Sequence, residues 1–401
     1  MSSTPRSVSI FGVTGSIGQS AADVVESDPG RFDVVCVTAD KNVAGLAAAA
    51  RRLKARAAVI AREDLYKELK DALAGADIEA AAGPRALDEA SQTPVDVTLC
   101  AMAGFAGLGP LMNSLKHGRV VAIANKEPLV AAGPLVMEAA KKYGATLLPV
   151  DSEHNAIFQV FDFTRPQAVE KIILTASGGP FRDWSRAQMA QASVAEALAH
   201  PTWRMGRKIS IDSATMMNKA LEVIEAHYLF AMPAERIEVL VHPESVIHSM
   251  VEYSDGSVLA QLGASDMRTP IAHALAWPER MRTPGQRLDL QRMNTLRFAP
   301  VDTERFPAIP LAYECLRDGP HACLALNAAN EVAVHNFLNG RIGFLDIVDY
   351  VRMGVAAASP RPLSDLAEIV EMDQSIRRLT QDAIARGRPA FSSPSKTVVT
   401  S

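Results

Sequence analysis

The first 150 residues alternate short apolar runs with stretches of helical periodicity, and this alternation restricts the fold more than any other feature of the chain. The apolar runs are SVSIFGV, FDVVCVTA, AAVIA, DVTLCAM, RVVAIAN and ATLLPV. Segments such as QSAADVVES, AGLAAAARRL and EDLYKELKDALAG separate them and have the spacing of helices. Regular alternation of this kind predicts a doubly wound parallel sheet with helices in the crossovers.

After residue 150 the pattern becomes α+β. KIILTAS and RIEVLV predict strands, and VIHSMVEY and SVLAQLG flank a turn at Ser254-Asp255-Gly256, which predicts an antiparallel hairpin. Residues 286–310 are rich in Pro and Arg and predict a linker, and four segments with helical periodicity follow it. The predicted fold is therefore α/β, with an N-terminal doubly wound parallel-sheet (Rossmann-like) domain, an α+β domain and a C-terminal helical domain.

Composition excludes several classes of protein. At 401 residues the chain is long enough for two or three domains, and its net charge of −4 offers no basic field for nucleic acid. No apolar run approaches the length of a membrane span, and MSSTPRSVSI lacks the hydrophobic core of a signal peptide. The four cysteines are scattered without metal or redox spacing. We expect a soluble cytoplasmic protein with reduced cysteines and no nucleic-acid or membrane partner.

A glycine-rich turn, GVTGSIG at residues 12–18, directly follows the first predicted strand. Glycines let the backbone approach a pyrophosphate, and the exposed amides at a helix start attract the anion. The alternative is an ordinary tight βα connection. Its place after the first strand of a βαβ alternation favours dinucleotide binding.

The second predicted strand ends at Asp40-Lys41-Asn42, and these residues bear on the choice of dinucleotide. An acid near this position commonly binds the ribose 2′-hydroxyl of NAD, whereas a cation accommodates the 2′-phosphate of NADP. Asp40 and Lys41 therefore favour different cofactors. Lys41 and Asn42 together offer several donors to a phosphate, so we favour NADP. The alternative is that both residues are solvated charges in a loop and bind no cofactor.

Two acids, Asp151 and Glu153, follow the apolar run TLLPV. If they end a strand, both side chains point to the same face and repel each other. A divalent cation would turn this pair into ligands, because Mg²⁺ and Mn²⁺ favour carboxylate oxygens. The alternative is a pair of solvated charges at the end of a strand.

The segment KISIDSATMMNKALEVIEAHYLF predicts a helix that begins near Ser213, a residue type that caps helices well. Asn218, Lys219 and Glu222 are three to four residues apart and can share one face. Glu222 could bind a metal there while the other polar groups bind an anion. The alternative is an exposed Lys/Glu pair. The apolar residues around it make exposure less favourable, and these are Met216, Met217, Leu221 and Ile224.

Two further segments lack helical or strand periodicity. Ser177-Gly178-Gly179 follows a predicted strand and could cradle phosphate, or form a plain turn. HPTWRMG, at 200–206, has the mix of Trp, Pro and Gly expected of a closing lid, or of a loop anchored by Trp203. The histidines at 117, 227 and 335 lack ligand spacing and are expected to be structural or exposed.

The motifs together resemble one family, 1-deoxy-D-xylulose 5-phosphate reductoisomerase. The resemblance covers essentially the whole chain and is most specific at 200–222. The segments that carry it are, in order, GVTGSIG, ANKE at 124–127, PVDSEHNAIFQ, LTASGGPFR, HPTWRMGRKISIDSATMMNKALE and HPESVIHSMVEYSDGSVLAQLGASDMRTPI.

The resemblance implies NADPH-dependent conversion of 1-deoxy-D-xylulose 5-phosphate into 2-C-methyl-D-erythritol 4-phosphate, a step of the non-mevalonate isoprenoid pathway. It implies NADPH and a divalent metal (Mg²⁺ or Mn²⁺, with Co²⁺ as a further option) as cofactors, a small phosphorylated sugar as substrate, and a homodimer. The domains it implies are an NADPH-binding domain at 1–150, an α+β catalytic domain at 151–285 with a lid at 177–207, a linker at 286–310, a C-terminal helical domain at 311–390 and a disordered tail at 391–401.

Residue by residue, the resemblance also implies a site. It assigns catalysis to Lys126, Glu153 and Glu222, and the metal to Asp151, Glu153 and Glu222. It assigns substrate contacts to Lys126, Ser152, Glu153, Ser177, His200, Trp203, Ser213, Asn218, Lys219 and Glu222. It assigns NADPH contacts to Thr14, Gly15, Ser16, Ile17, Asp40, Lys41, Asn42, Asn125, Glu127 and Gly206.

The chain departs from the family pattern at four places. Asp40 stands where Gly is usual before Lys-Asn, Val13 replaces a Ser and Pro128 follows Asn-Lys-Glu where Ser is common. Thr202 and Arg204 vary the lid. None of these changes removes a residue needed for the chemistry, but Asp40 bears on the preference for NADPH.

Several points stay open at the level of sequence. Lys126, Glu153 or a metal-bound water could carry the proton transfers, and the rearrangement could be a retro-aldol/aldol sequence or a direct shift. Two other functions share the N-terminal pattern: an NADP-dependent dehydrogenase of a semialdehyde and a catalytically silent NADP-sensing module. Neither needs three carboxylates or a divalent ion.

Overall fold

A computed structural model describes residues 4–117, 119–203 and 205–387. Arg204 of the predicted lid, the end of the predicted helical domain and the predicted tail lie outside these residues. Two compact units divide the chain. The first comprises Met1–Gly178, Thr202–Gly206 and Leu221–Val301, and the second comprises Gly179–Pro201, Arg207–Ala220 and Asp302–Ser401.

The first unit contains a seven-stranded, all-parallel sheet in the order β4-β3-β2-β1-β5-β6-β7. Its strands are β1 (Arg6–Phe11), β2 (Phe32–Ala39), β3 (Ala57–Ile60), β4 (Glu79–Ala82), β5 (Val97–Cys100), β6 (Val120–Ile123) and β7 (Thr146–Pro149). The crossover helices are α1 (Ser16–Glu26), α2 (Val43–Leu53), α3 (Tyr66–Ala72), α4 (Gly83–Gln92), α5 (Leu108–His117) and α6 (Glu127–Tyr143). The predicted doubly wound sheet is confirmed.

The core of this sheet explains why its strands are nearly continuous apolar runs. Val8, Ile10, Val97 and Leu99 are fully buried, because helices cover both faces of a parallel sheet. All strands of this sheet except β4 were predicted. Its sequence, EAAA, contains no β-branched residue, so propensity gives no indication of a strand there.

A second, five-stranded sheet follows in the same unit, in the order β11-β10-β8-β9-β12. Its strands are β8 (Val169–Ala176), β9 (Ile237–Val241), β10 (Ile247–Tyr253), β11 (Val258–Leu262) and β12 (Ala299–Pro300), and the helices α7 (Ser152–Val160) and α12 (Arg268–Ala276) belong to the same unit. The predicted hairpin is confirmed, because β10 and β11 pair antiparallel around Ser254-Asp255-Gly256. The strand β11 forms an edge of the sheet.

The second unit is helical. Its helices are α8 (Arg186–Met189), α9 (Val194–Leu198), α10 (Arg207–Ala214), the start of α11 (Met217–Phe230), α13 (Ala308–Asp318), α14 (Pro320–Leu338), α15 (Asp346–Ala356) and α16 (Leu366–Ala385). The predicted C-terminal helices are thus present. Gly354 of α15 packs closely on α14: a Cβ at this position would lie 2.6 Å from Ala329 Cβ. This contact requires glycine.

One helix prediction is wrong. Ser213 lies inside α10 and does not begin the helix that carries Asn218 and Lys219. The helical conformation is interrupted between α10 and α11, where Met216 takes a positive φ of 60°. The apolar pattern runs on through this break, so periodicity alone joins the two helices.

All four cysteines are buried thiols: Cys36 and Cys100 in the first unit, Cys315 and Cys323 in the second. Burial raises the pKa of the Cys36 and Cys100 thiols to about 12. The cysteines are packing residues, as expected. Among the described residues, no helix combines the length and apolar character needed to cross a membrane.

Candidate active site

The site begins where β7 ends. Asp151 is the N-cap of α7, and its Oδ1 accepts a hydrogen bond of 3.2 Å from the backbone N–H of Glu153, which lies in the first turn. The predicted alternation of these two acids along a strand is therefore wrong. A carboxylate is stabilised at a helix N-terminus, and this explains locally why two acids follow the strand.

Three acids come together in the first unit, and we call them the carboxylate cluster: Asp151, Glu153 and Glu222. Each offers one carboxylate oxygen, and these oxygens lie within 4.8 Å of one another. The Glu222 side chain is fully buried and that of Asp151 is 12% exposed. Three carboxylates at this separation, one buried and two partly buried, need a cation, because like charges in a low dielectric repel strongly.

Lys126 supplies positive charge to this cluster. Its Nζ lies 2.7 Å from Asp151 Oδ2 and 3.3 Å from Glu222 Oε1, and its side chain is 5% exposed. Burial lowers the pKa of Lys126, but the neighbouring carboxylates more than offset this, so that the pKa lies well above its ordinary value. Lys126 is therefore an ammonium that stands among the oxygens where a metal cation would bind.

His154 and Glu225 belong to the same network, and the sequence analysis missed both. His154 Nε2 lies 2.9 Å from the Glu222 carbonyl oxygen, and Nδ1 lies 3.1 Å from Asp151 Oδ1 and 3.3 Å from Glu225 Oε2. Because these partners are acceptors, both ring nitrogens donate, and His154 is an imidazolium. Burial lowers its pKa, but Glu225 and Asp151 raise it to about 9.

The charges of this network fit a divalent cation. Burial raises the pKa of Glu225 to about 7, although His154 opposes this. When Glu225 is ionised, it and the carboxylate cluster carry two more negative charges than Lys126 and His154 carry positive ones. A hard divalent cation with oxygen ligands would balance that difference. The spacing of three residues, from Asp151 to His154 and from Glu222 to Glu225, was the signal available in the sequence.

The glycine-rich turn fits a dinucleotide. Gly12 has a φ of +91°, and a Cβ on it would lie 2.5 Å from the Ala101 carbonyl oxygen, while a Cβ on Gly18 would lie 2.3 Å from that of Gly12. Packing therefore requires these two glycines. A Cβ on Gly15 would meet its nearest atom only at 3.5 Å, so packing does not require glycine there. Close approach of a cofactor phosphate to the backbone would explain why this position is glycine.

The remaining residues assigned to NADPH in the first unit lie mostly after the strands of the parallel sheet. Thr14, Ser16 and Ile17 flank Gly15, the N-cap of α1, and none of the described side chains caps this helix. Asp40, Lys41 and Asn42 follow β2 and are exposed, and Asn42 Oδ1 accepts from Gly45 N at 2.9 Å. Asn125, with Phe11 and Ile123, lines a small cavity, Glu127 begins α6, and Gly206 lies in the short segment 202–206.

The residues assigned to substrate are placed as follows. In the first unit, Ser152 Oγ donates to Glu153 Oε2 at 2.6 Å, the Trp203 and His248 rings lie 6.2 Å apart, and Ser177 follows β8. In the second unit lie His200, Ser213, Asn218 and Lys219. Gly179, also in the second unit, approaches Ser213 closely, since its Cβ would lie 2.5 Å from the Ser213 carbonyl oxygen.

A dinucleotide-type parallel sheet and a buried carboxylate cluster define a metal-dependent oxidoreductase. The chain belongs to the 1-deoxy-D-xylulose 5-phosphate reductoisomerase family. Family sequence models match at residues 8–133 (1-deoxy-D-xylulose 5-phosphate reductoisomerase), 147–230 (its C-terminal domain) and 262–379 (DXP reductoisomerase C-terminal domain).

Full-length relatives agree with the family models. The 1-deoxy-D-xylulose 5-phosphate reductoisomerase of Rhodospirillum centenum is 55% identical over 96% of this chain and 95% of its own length. The solved Zymomonas mobilis enzyme in complex with NADPH is 49% identical, with a TM-score of 0.90 over 95% of this chain and 99% of that one. A DOX-P reductoisomerase solved with NADPH, fosmidomycin and magnesium is 41% identical, with a TM-score of 0.92 over 96% and 100%.

Proposed function

We propose that Asp151, Glu153 and Glu222 bind the divalent cation on which this reductoisomerase depends. As a family member, the chain catalyses the metal-dependent isomerisation and NADPH-dependent reduction of 1-deoxy-D-xylulose 5-phosphate to 2-C-methyl-D-erythritol 4-phosphate. The observation that carries the metal assignment is the carboxylate cluster, whose oxygens lie within 4.8 Å of one another. The solved relative that contains magnesium supports it.

The residues in and around the cluster are proposed to have different roles in the reaction. A bound divalent metal supplies Lewis acidity and a template for the substrate's oxygens during the rearrangement. Lys126, held as an ammonium by Asp151 and Glu222, can hold or donate a proton at Nζ. Glu153 can accept a proton at its carboxylate, and Ser152, hydrogen-bonded to it, helps to orient it. We propose that Lys126, Glu153 or water carries each proton transfer.

For the phosphorylated end of the substrate we propose four residues whose side chains are hydroxyl, amide or ammonium donors. They are Ser177, Ser213, Asn218 and Lys219. A relative binds the phosphonate fosmidomycin, which supports recognition of such a group. Binding of the remote phosphate would orient the reacting carbons. His200 and Trp203 are proposed as further substrate contacts in the predicted lid, 177–207, whose closure would exclude water.

NADPH supplies the hydride for the reduction. The proposed contacts are the turn at 14–17, the residues 40–42 after β2, Asn125, Glu127 and Gly206. Support comes from the room at Gly15 and from the amides at the start of α1, which attract phosphate. A relative is solved with NADPH bound.

The oligomeric state, the compartment and the domain boundaries complete the proposal. We propose a homodimer that uses the edge strand β11, where Val258, Leu259 and Leu262 are 48%, 49% and 38% exposed. An edge strand with exposed apolar residues favours pairing. Four buried cysteine thiols favour the reducing cytoplasm. The division at residues 150, 285 and 310 is proposed from the change in sequence pattern.

The test measures NADPH oxidation with 1-deoxy-D-xylulose 5-phosphate as substrate. Bound metal is first removed from the protein with a chelator, and the loss of nicotinamide absorbance is then recorded with and without added Mg²⁺ or Mn²⁺. We expect oxidation only when both substrate and metal are present. Metal-independent NADPH oxidation coupled to reduction of a semialdehyde would instead support an ordinary dehydrogenase, and cofactor binding without any turnover would support a sensing module. Either result from folded protein would contradict the proposal.

A further inference from the structure

Arg62 lies beside Asp40 at the carboxyl edge of the parallel sheet. The strands β2 and β3 are parallel neighbours, with Ala39 opposite Ile60. Hydrogen bonding continues past the strand ends: Ala61 N donates to Ala39 O at 2.9 Å, and Arg62 N donates to Asp40 O at 3.3 Å. Arg62, distant in sequence from the glycine-rich turn, is thus adjacent to the segment that selects the cofactor.

The charges at this edge require an explanation. Asp40 places a carboxylate where a 2′-phosphate would be repelled, and Lys41 offers one cation against it. The solved relatives nevertheless include enzymes bound to NADPH. A second cation at this edge would help to offset Asp40, and Arg62, which also pairs with Asp64, is the residue that the sheet places there.

The Arg62 side chain is preorganised. Its Nε donates to Asp64 Oδ1 and its Nη2 to Asp64 Oδ2, both at 2.9 Å, while 58% of the side chain is exposed. Asp64 is the main cause of the raised pKa of Arg62, and Asp40 also contributes, which places Asp40 within range of the guanidinium's field. Nη1 takes no part in the fork with Asp64. A guanidinium fixed in this way loses little conformational entropy on binding an anion.

We infer that Arg62 is a specificity-determining residue for the phosphorylated cofactor, because its guanidinium offsets Asp40 and binds the 2′-phosphate of NADPH together with Lys41. The inference rests on the proposed NADPH site and adds a residue from the neighbouring strand. Arg is suited to this role since its planar donors match phosphate oxygens. NADH, which lacks this phosphate, gains nothing from Arg62.

The experiment measures equilibrium binding of NADPH and of NADH by nicotinamide fluorescence, without substrate. We expect Arg62→Ala to raise the Kd for NADPH about tenfold, the size of one lost charge-assisted contact, and to change that for NADH by less than about twofold. The matched control is Arg56→Ala. Arg56 precedes β3 at the opposite edge of the same sheet and pairs with Asp33, so the variant loses the same charge and the same kind of ion pair.

The outcomes separate this inference from the proposed function. Equal weakening of NADPH and NADH by Arg62→Ala, an unchanged Kd for NADPH, or an equal loss in Arg56→Ala would each overturn the role of Arg62. Failure of the folded wild-type protein to bind NADPH would instead overturn the proposed cofactor site itself. Because Arg62 is exposed, Arg62→Ala should fold, and an unchanged circular dichroism spectrum would verify this.

Discussion

Lys126 is the residue that makes the carboxylate cluster compatible with burial. Its ammonium lies 3.3 Å from Glu222 and 2.7 Å from Asp151, so these two acids have a cationic partner without a metal, while the whole network keeps an excess of negative charge when Glu225 is ionised. An unpaired buried carboxylate would cost several kcal/mol. We propose that the same residue serves the stability of the metal-free protein and the chemistry of the metal-bound one.

Glu222 is the proposed ligand whose loss should be most damaging, because its side chain is fully buried and pairs with Lys126. We expect Glu222→Gln to lower turnover by at least about 100-fold and to weaken metal dependence. Turnover measured across a Mg²⁺ titration checks this. Glu238→Gln is the matched control, since Glu238 is exposed and pairs with Lys171 on the second sheet. Wild-type activity of Glu222→Gln would remove Glu222 from the site.

We propose that Glu225 acts on the metal site through His154, whose Nδ1 lies 3.3 Å from Glu225 Oε2. We expect Glu225→Gln to weaken metal affinity about tenfold while saturating metal restores most of the turnover, because His154 and through it Asp151 would be less firmly oriented. Metal titrations followed by both binding and turnover separate the two effects. A lower turnover at saturating metal, with metal affinity unchanged, would contradict a positioning role.

At the scale of elements, the packing of α15 on α14 depends on Gly354. A Cβ would lie 2.6 Å from Ala329 Cβ and 3.4 Å from Thr380 Oγ1. We expect Gly354→Ala to lower the free energy of unfolding by about 1–3 kcal/mol, because the helices must separate. Gly109→Ala in α5 is the control: no atom lies within 4 Å of its Cβ, and helix propensity should make it neutral or stabilising. Urea unfolding compares the two, and equal stability would contradict the packing argument.

The elements were predictable where the local pattern and the tertiary environment agree. Buried strands such as β3 and β6 are continuous apolar runs because helices cover both faces. The pattern failed where they disagree. Alanines form β4 because neighbouring β3 provides a hydrogen-bonding edge, and Met216 takes a left-handed conformation inside a segment of helical periodicity.

The site was predictable only in part, for a related reason. The resemblance assigned the three acids and Lys126, whose proximity depends on a tertiary contact between residues 96 positions apart. His154 and Glu225 were missed because their spacing of three residues from Asp151 and from Glu222 does not show that the two side chains are buried or that they meet. Arg62 was missed because strand order, and not sequence distance, places it beside Asp40.

At the scale of the whole molecule, metal binding should stabilise the fold. A ligand that binds only the folded state, present at 100 times its Kd, contributes about 2.7 kcal/mol. We expect Mg²⁺ or Mn²⁺ to raise the free energy of unfolding by about this amount relative to chelated protein. Chemical unfolding with and without metal checks this independently of activity. A similar gain in Glu222→Gln would show that the stabilising ion binds elsewhere.

The proposed dimer makes a separate prediction. Leu259 is 49% exposed on the edge strand β11, and a lysine there would place charge in the interface. We expect Leu259→Lys to dissociate the dimer at low micromolar concentration, as measured by sedimentation velocity. Leu290→Lys, at a residue 63% exposed and outside the sheets, is the control. If Leu259→Lys remains dimeric, β11 is not the interface.

The buried cysteines are natural probes of the unfolding of each unit. Each unit contains two thiols that burial shields from solvent, Cys36 and Cys100 in one and Cys315 and Cys323 in the other. A thiol reagent modifies a buried cysteine only after the surrounding structure has opened. Pulsed alkylation followed by peptide mass analysis would therefore record when each unit opens, in the unmodified chain and without an engineered probe.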